Sequence, residues 1–107
     1  MRIQVQASDD VLAEAMRSYI QRRLRLTLGR YVGRLLQVSV RVAAPAEHNG
    51  RLDEGCRITA ELFPSGRRLQ HEVVDPCLFS AVDTAVERMA RSVRREVEQA
   101  TLRPLPR

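Results

Sequence analysis

The segment Cys56-Arg57-Ile58-Thr59-Ala60-Glu61-Leu62-Phe63-Pro64-Ser65-Gly66-Arg67-Arg68-Leu69-Gln70-His71-Glu72-Val73 contains two alternating runs joined by a turn. Cys56, Ile58, Ala60 and Leu62 fall on one side of the first run, and Arg57, Thr59 and Glu61 on the other. After Pro64-Ser65-Gly66, Leu69, His71 and Val73 alternate with Arg68, Gln70 and Glu72. A period of two with a Pro/Gly turn predicts an antiparallel hairpin with one buried face. Working backwards, Leu36, Val38, Val40 and Val42 repeat the alternation, and Ala44-Pro45 is expected to stop it. Residues 47–55 then read as an exposed, mobile loop, rich in charge and turn formers.

Further upstream, Ile3, Val5 and Ala7 alternate with Arg2, Gln4 and Gln6, which predicts a first strand. Leu12, Met16, Tyr19, Ile20 and Leu24 recur at helical spacing, and Gly29 and Gly33 end that helix near residue 30. Capping chemistry favours a helix start at Ser8 to Asp10. Downstream, Asp75-Pro76 opens a second helix whose stripe is Leu78, Phe79, Val82, Val86, Met89, Val93 and Val97. The proline-bearing tail is expected to be non-helical from Thr101 on. The prediction is an α+β fold of order β-α-β-β-β-α: a four-stranded mixed sheet with two helices packed on one face. One domain spans residues 1–99, with a frayed tail at 100–107.

Composition bounds the function. In 107 residues, 44% are hydrophobic and 29% charged, enough for one packed domain and too ordered for a disordered chain. No apolar run is long enough to cross a membrane, and the N-terminus lacks the apolar core of a signal peptide, so a cytoplasmic protein is expected. Cys56 and Cys77 are then expected as free thiols. With His48 and His71 they lack the paired short spacings of a zinc site. His71 reads as a partly buried, satisfied strand residue. No nucleophile motif and no glycine-rich phosphate loop is present, which argues against an enzyme.

The net charge is +5, and all 18 basic residues are arginine. No acidic residue lies between Glu14 and Glu47, a span that holds seven arginines. Arg22 and Arg25 are three apart on the first helix, and Arg88, Arg91 and Arg95 form a row on the second with Arg94 beside it. Asp83, Glu87, Glu96 and Glu98 flank that row. Like charges at such spacing repel by a few tenths of a kcal/mol per pair, roughly, so folding does not favour the pattern. A phosphate-rich partner reverses the sign, because the guanidinium fork fits phosphate oxygens. The alternative is an ordinary solvated face whose arginine stems cover apolar surface. Aromatics are few. Tyr19 and Phe79 fall on core stripes, and the outer sheet face offers Gln4, Ser39, Arg41, Thr59, Glu61, Gln70 and Glu72, so stacking of unpaired bases is not favoured.

Local strings carry a resemblance. Met1-Arg2-Ile3-Gln4-Val5, Glu14-Ala15-Met16-Arg17-Ser18-Tyr19-Ile20, Pro64-Ser65-Gly66-Arg67-Arg68-Leu69 and Phe79-Ser80-Ala81-Val82-Asp83 occur in the order and spacing of a known group. So does the continuation Glu87-Arg88-Met89-Ala90-Arg91-Ser92-Val93. Over residues 1–99 the chain resembles the short form of the ribosome hibernation promoting factor and ribosome-associated inhibitor A family. That resemblance places the start of the first helix near Ala13.

The resemblance implies a bacterial stress-response factor that binds the small ribosomal subunit and its ribosomal RNA near the decoding channel and inhibits translation. It implies no cofactor, metal, DNA or membrane partner, and a monomer when free. The matching RNA-binding positions are Arg22, Arg23, Arg25, Arg88, Arg91 and Arg95; Arg30 and Arg94 are added from the charge pattern alone. Cys77-Leu78-Phe79 departs from the family's usual Asp-Met-Tyr, and Leu26-Thr27-Leu28-Gly29 replaces a charged last helical turn. Other readings are a diverged paralogue whose sheet face or loop 47–55 binds protein, or a binder of other structured RNA.

Overall fold

The structure, a computed structural model, describes residues 1–7, 14–48 and 50–102. Strand β1 (Arg2–Ala7) is followed by helix α1 (Glu14–Leu28) and a 3₁₀ segment (Gly29–Arg34). Strands β2 (Leu35–His48), β3 (Arg51–Leu62) and β4 (Arg68–Asp75) come next, and helix α2 (Leu78–Leu102) closes the chain. The sheet order is β1-β2-β3-β4. β1 runs parallel to β2, while β2–β3 and β3–β4 are antiparallel. The anticipated β-α-β-β-β-α order and mixed sheet are therefore present. Both candidate starts of α1, the caps at Ser8 to Asp10 and Ala13, lie outside the described residues, as does Leu12.

Alternation decides which side of each strand is dry. Val5, Val38, Val40, Val42, Cys56, Ile58, Ala60, Leu62 and Val73 are buried against Met16, Ile20, Leu24 and Leu28 of α1 and Val82, Val86, Met89 and Val93 of α2. Each large side chain so buried contributes about 1.5–3 kcal/mol relative to exposure. Ala81 and Ala85 are also fully buried, the small residues that let α2 approach the sheet. The turn after β3 is closed by Gly66 N–H donating to the Leu62 carbonyl (2.8 Å) and Leu62 N–H donating to the Arg67 carbonyl (2.8 Å). Gly66 sits there at φ 74°, where a Cβ is disfavoured.

Four expectations about strand and helix bounds need correction. Leu35, not Leu36, fills the core: the register advances from Leu35↔Leu62 to Gln37↔Glu61, so Leu36 is an extra residue and is 52% exposed. β2 does not stop at Ala44-Pro45. A second register shift between Ala43 and Ala46 accommodates a residue that cannot donate to the ladder. The anticipated loop 47–55 is instead the end of a β2–β3 arm, paired from Ala46↔Asp53 to His48↔Arg51, with Gly50 at φ 78° in its turn. Last, α2 includes Thr101 and Leu102, because the backbone restriction imposed by Pro104 reaches back only to Arg103. Residues 103–107 lie outside the described residues.

Candidate nucleic-acid interface

α1 and α2 cover one face of the sheet, and their outer surfaces carry the arginines singled out by sequence. The seam between the helices differs at its two ends. At one end, the Tyr19 hydroxyl donates to Asp83 Oδ1 at 2.5 Å and Arg23 Nε donates to the same oxygen at 3.1 Å. Phe79 meets Tyr19 edge-on, with ring centroids 5.0 Å apart. Phe79 is thus a seam residue, 50% exposed, and not the core residue its spacing suggested. The hydrogen bond to the Asp83 carboxylate raises the Tyr19 pKa above its ordinary value, with burial adding to the effect and Arg23 and Arg22 opposing it.

At the other end, Thr27, Arg30 and Tyr31 face Ala90, Arg91 and Arg94 across a groove of about 170 Å³. The Arg30 guanidinium lies 5.5 Å from the Tyr31 ring centroid, a cation–π contact worth about 0.5–1 kcal/mol at an exposed site. Arg94 Nε reaches Glu98 Oε1 only at 3.7 Å. Arg30, Arg91 and Arg94 therefore line one open groove together, with one loosely held carboxylate, Glu98, beside Arg94.

The remaining predicted residues spread around this groove. Arg22 is exposed on α1. Arg25 is exposed beside Met1, Ile3 and Gln21, on the β1 side of α1 and away from α2. Arg88 and Arg95 are exposed on α2. They share the helix side of Ser92, which contacts His71 Nε2 at 2.7 Å, and of Glu96, which pairs with Arg67 at 3.0 Å. That side faces β4. Among the described residues, Arg22, Arg25, Arg88, Arg91 and Arg95 form no ion pair.

The structure thus joins Arg30, Arg91 and Arg94, ties Arg23 into the fold, and sets Arg25 and the pair Arg88/Arg95 on opposite flanks. Sequence reasoning missed Thr27 and Tyr31. Thr27 adjoins the buried Leu28 on the flank of the core stripe, whereas Tyr31 lies in the 3₁₀ segment at non-helical φ/ψ, where helical spacing gives no signal.

Elsewhere, His71 is half-buried and satisfied by Ser92, as its strand position suggested. Cys56 and Cys77 are free, one buried in β3 and one exposed before α2. Among the described residues, no three metal-binding side chains cluster, and no helix is long and apolar enough to cross a membrane. On the outer sheet face Arg41 stands opposite Arg57, which pairs with Glu72 at 3.4 Å.

A family model described as sigma 54 modulation protein / S30EA ribosomal protein matches residues 3–101. The N-terminal domain of Protein Y from Thermus thermophilus superposes with a TM-score of 0.71 at 24% identity, covering 89% of this chain and 98% of that one. A ribosomal subunit interface protein from Coxiella burnetii gives a TM-score of 0.73 at 12% identity, covering 92% and 99%. At these identities the two structures attest the shared fold. No curated protein matches the sequence.

Proposed function

The chain belongs to the sigma 54 modulation protein / S30EA ribosomal protein family, and from that premise we propose that it is a ribosome-associated hibernation factor. It binds ribosomal RNA of the small subunit near the decoding channel, occupies the space that messenger and transfer RNA need, and so inhibits translation in the cytoplasm. The observation that carries this reading is the groove lined by Arg30, Arg91 and Arg94 between α2 and the 3₁₀ segment that follows α1. The packed backbone fixes where these arginines start, so on meeting phosphate oxygens only their side chains have to order. The proposed role is binding and steric occlusion, with no bond made or broken. One structural neighbour, from Coxiella burnetii, is a ribosomal subunit interface protein, which points the same way.

The test is co-sedimentation with small ribosomal subunits across a salt series. Each neutralised phosphate releases condensed counterions, so log affinity falls linearly with log salt, by about 0.7–0.9 per contact. Binding that does not change with salt overturns the electrostatic mechanism. An excess of generic duplex RNA competes weakly if the small subunit is the partner, and fully if any structured RNA suffices. Replacing Arg88, Arg91 and Arg95 together by Ala should leave the fold intact and weaken co-sedimentation.

A further inference from the structure

A second cavity, of about 310 Å³, shares no lining residue with the arginine groove. It opens between the β3–β4 turn and the last turns of α2. Phe63 and Pro64 from the turn and Val97 from α2 give it apolar walls, and Phe63 is left 54% exposed. Its charged members are Arg34, Arg67 and Glu96. Arg67 Nη1 meets both oxygens of Glu96, at 3.0 and 3.2 Å, so these two charges cancel locally.

Arg34 is different. Its Nε is buried and, among the described residues, has no hydrogen-bond partner. Among the described residues Arg34 also forms no ion pair, so its guanidinium charge beside the apolar wall has no counter-charge of its own. The cavity thus holds one uncompensated positive charge beside an apolar wall, at the lower end of the size range of small-molecule sites.

We propose that this cavity binds a small carboxylate with an aromatic or branched apolar body. The body packs against Phe63, Pro64 and Val97, and the carboxylate pairs with the outer N–H groups of the Arg34 guanidinium. A single negative charge matches the single unpaired cation. Inorganic phosphate brings more charge than the site offsets and nothing for the apolar wall. The proposal stands apart from the ribosome reading, and the chain alone suffices to test it.

The experiment is an NMR titration of the ¹⁵N-labelled chain with phenylacetate, following backbone amides and arginine Nε–H signals. Neutral phenylacetamide and inorganic phosphate serve as comparisons. Phenylacetate should shift Phe63, Val97 and the Arg34 Nε–H saturably, with a dissociation constant on the order of millimolar. The amide should bind about tenfold more weakly, having lost the charged hydrogen bond, and phosphate should leave these signals unmoved. Arg34→Met should abolish the response. Ala100→Phe, at an exposed helix position on the cavity rim, should do the same by filling the mouth and decides the matter if Arg34→Met does not fold. Equal binding of acid and amide overturns the proposal. So do shifts centred on Arg30, Arg91 and Arg94, or binding that survives Ala100→Phe.

Discussion

The two ends of the α1–α2 seam use the same side chain for opposite purposes. Arg23 shares Asp83 with Tyr19, and all three hold helix to helix. Arg30, Arg91 and Arg94 line a groove, and among the described residues the ion pair these three make is Arg94 with Glu98, at 3.7 Å. The first arrangement gains from folding, since opposite charges and a hydrogen bond meet on contact. The second is repulsive in the free protein by roughly a few tenths of a kcal/mol per pair. Charge and residue type do not separate these arginines; the partner across the seam does, and with it burial, for Arg23 is half-buried while Arg30, Arg91 and Arg94 are exposed. An arginine that folding has already paired is a poor candidate for phosphate, and one that folding leaves beside its like is a good one.

The largest effect should come from the groove. Replacing Arg30, Arg91 and Arg94 by Ala should weaken small-subunit binding about a hundredfold or more, since each charged hydrogen bond contributes about 1.5–3 kcal/mol. The slope of log affinity against log salt should fall by about 2–3 units. Stability should change by no more than about 1 kcal/mol, since the cation–π contact of Arg30 is lost while like-charge repulsion is relieved. Co-sedimentation over a salt series, with a thermal melt alongside, checks all three. An intact salt slope breaks the contrast between the two ends.

The seam end should answer in the opposite way. Asp83→Ala removes the acceptor shared by Tyr19 and Arg23. The carboxylate is 39% exposed, so solvent screens its ion pair and the hydrogen bond from Tyr19 carries most of the loss. The expected cost is about 1 kcal/mol, or a Tm lower by roughly 4–8 °C. Ribosome binding should hold or rise as Arg23 is released. A hundredfold loss of binding in this variant would move the interface to the seam.

The same end carries a pH signature. Hydrogen bonding to Asp83 raises the Tyr19 pKa above its ordinary value of 10.0. Below pH 10 Tyr19 is neutral in both folded and unfolded chains, and its contribution to stability is fully present. As pH rises through the ordinary tyrosine value the unfolded chain ionises first, so that contribution is lost towards the folded pKa. Alkaline melts of Tyr19→Phe should lack this component of the decline. Were the two proteins to lose stability in parallel, the hydrogen bond would not be holding the seam.

Much of the fold was legible because alternation and helical spacing are local signals. The hairpin, both helices and the sheet order follow from patterns a few residues long. What escaped was non-local or offset by one residue. Leu36 took the place of Leu35 because a bulge is invisible to a period-two count. The arm reads as a loop in sequence because Ala44-Pro45 breaks the alternation and residues 47–55 are rich in charge and turn formers. For the site, the arginine rows were visible, but Asp83 lies 60 residues from Arg23 and no spacing rule joins them. The groove likewise needs Arg30 and Arg91 brought together by the sheet beneath them.

The smallest effect concerns Cys77, next to the seam end. Its backbone N–H donates to Asp75 Oδ1 at 2.9 Å, and its carbonyl accepts from Ala81 N–H at 3.0 Å, so it stands at the N-terminal cap of α2. Hydrogen bonds from the Ser80 backbone and hydroxyl stabilise its thiolate and lower its pKa, while burial raises that of Cys56 to about 11. Cys77→Asp, a stronger cap with a charge suited to the helix dipole, should raise the Tm by roughly 2–5 °C. At neutral pH a thiol reagent should modify Cys77 quickly and Cys56 only on unfolding, and Cys77→Ser should remove the fast phase. A bulky label on Cys77 then tests the seam against the groove directly. If RNA sits on Arg30, Arg91 and Arg94, the labelled protein should co-sediment as the unlabelled one does. If the label blocks binding, RNA extends over Phe79 and Tyr19, and the two ends act as one surface.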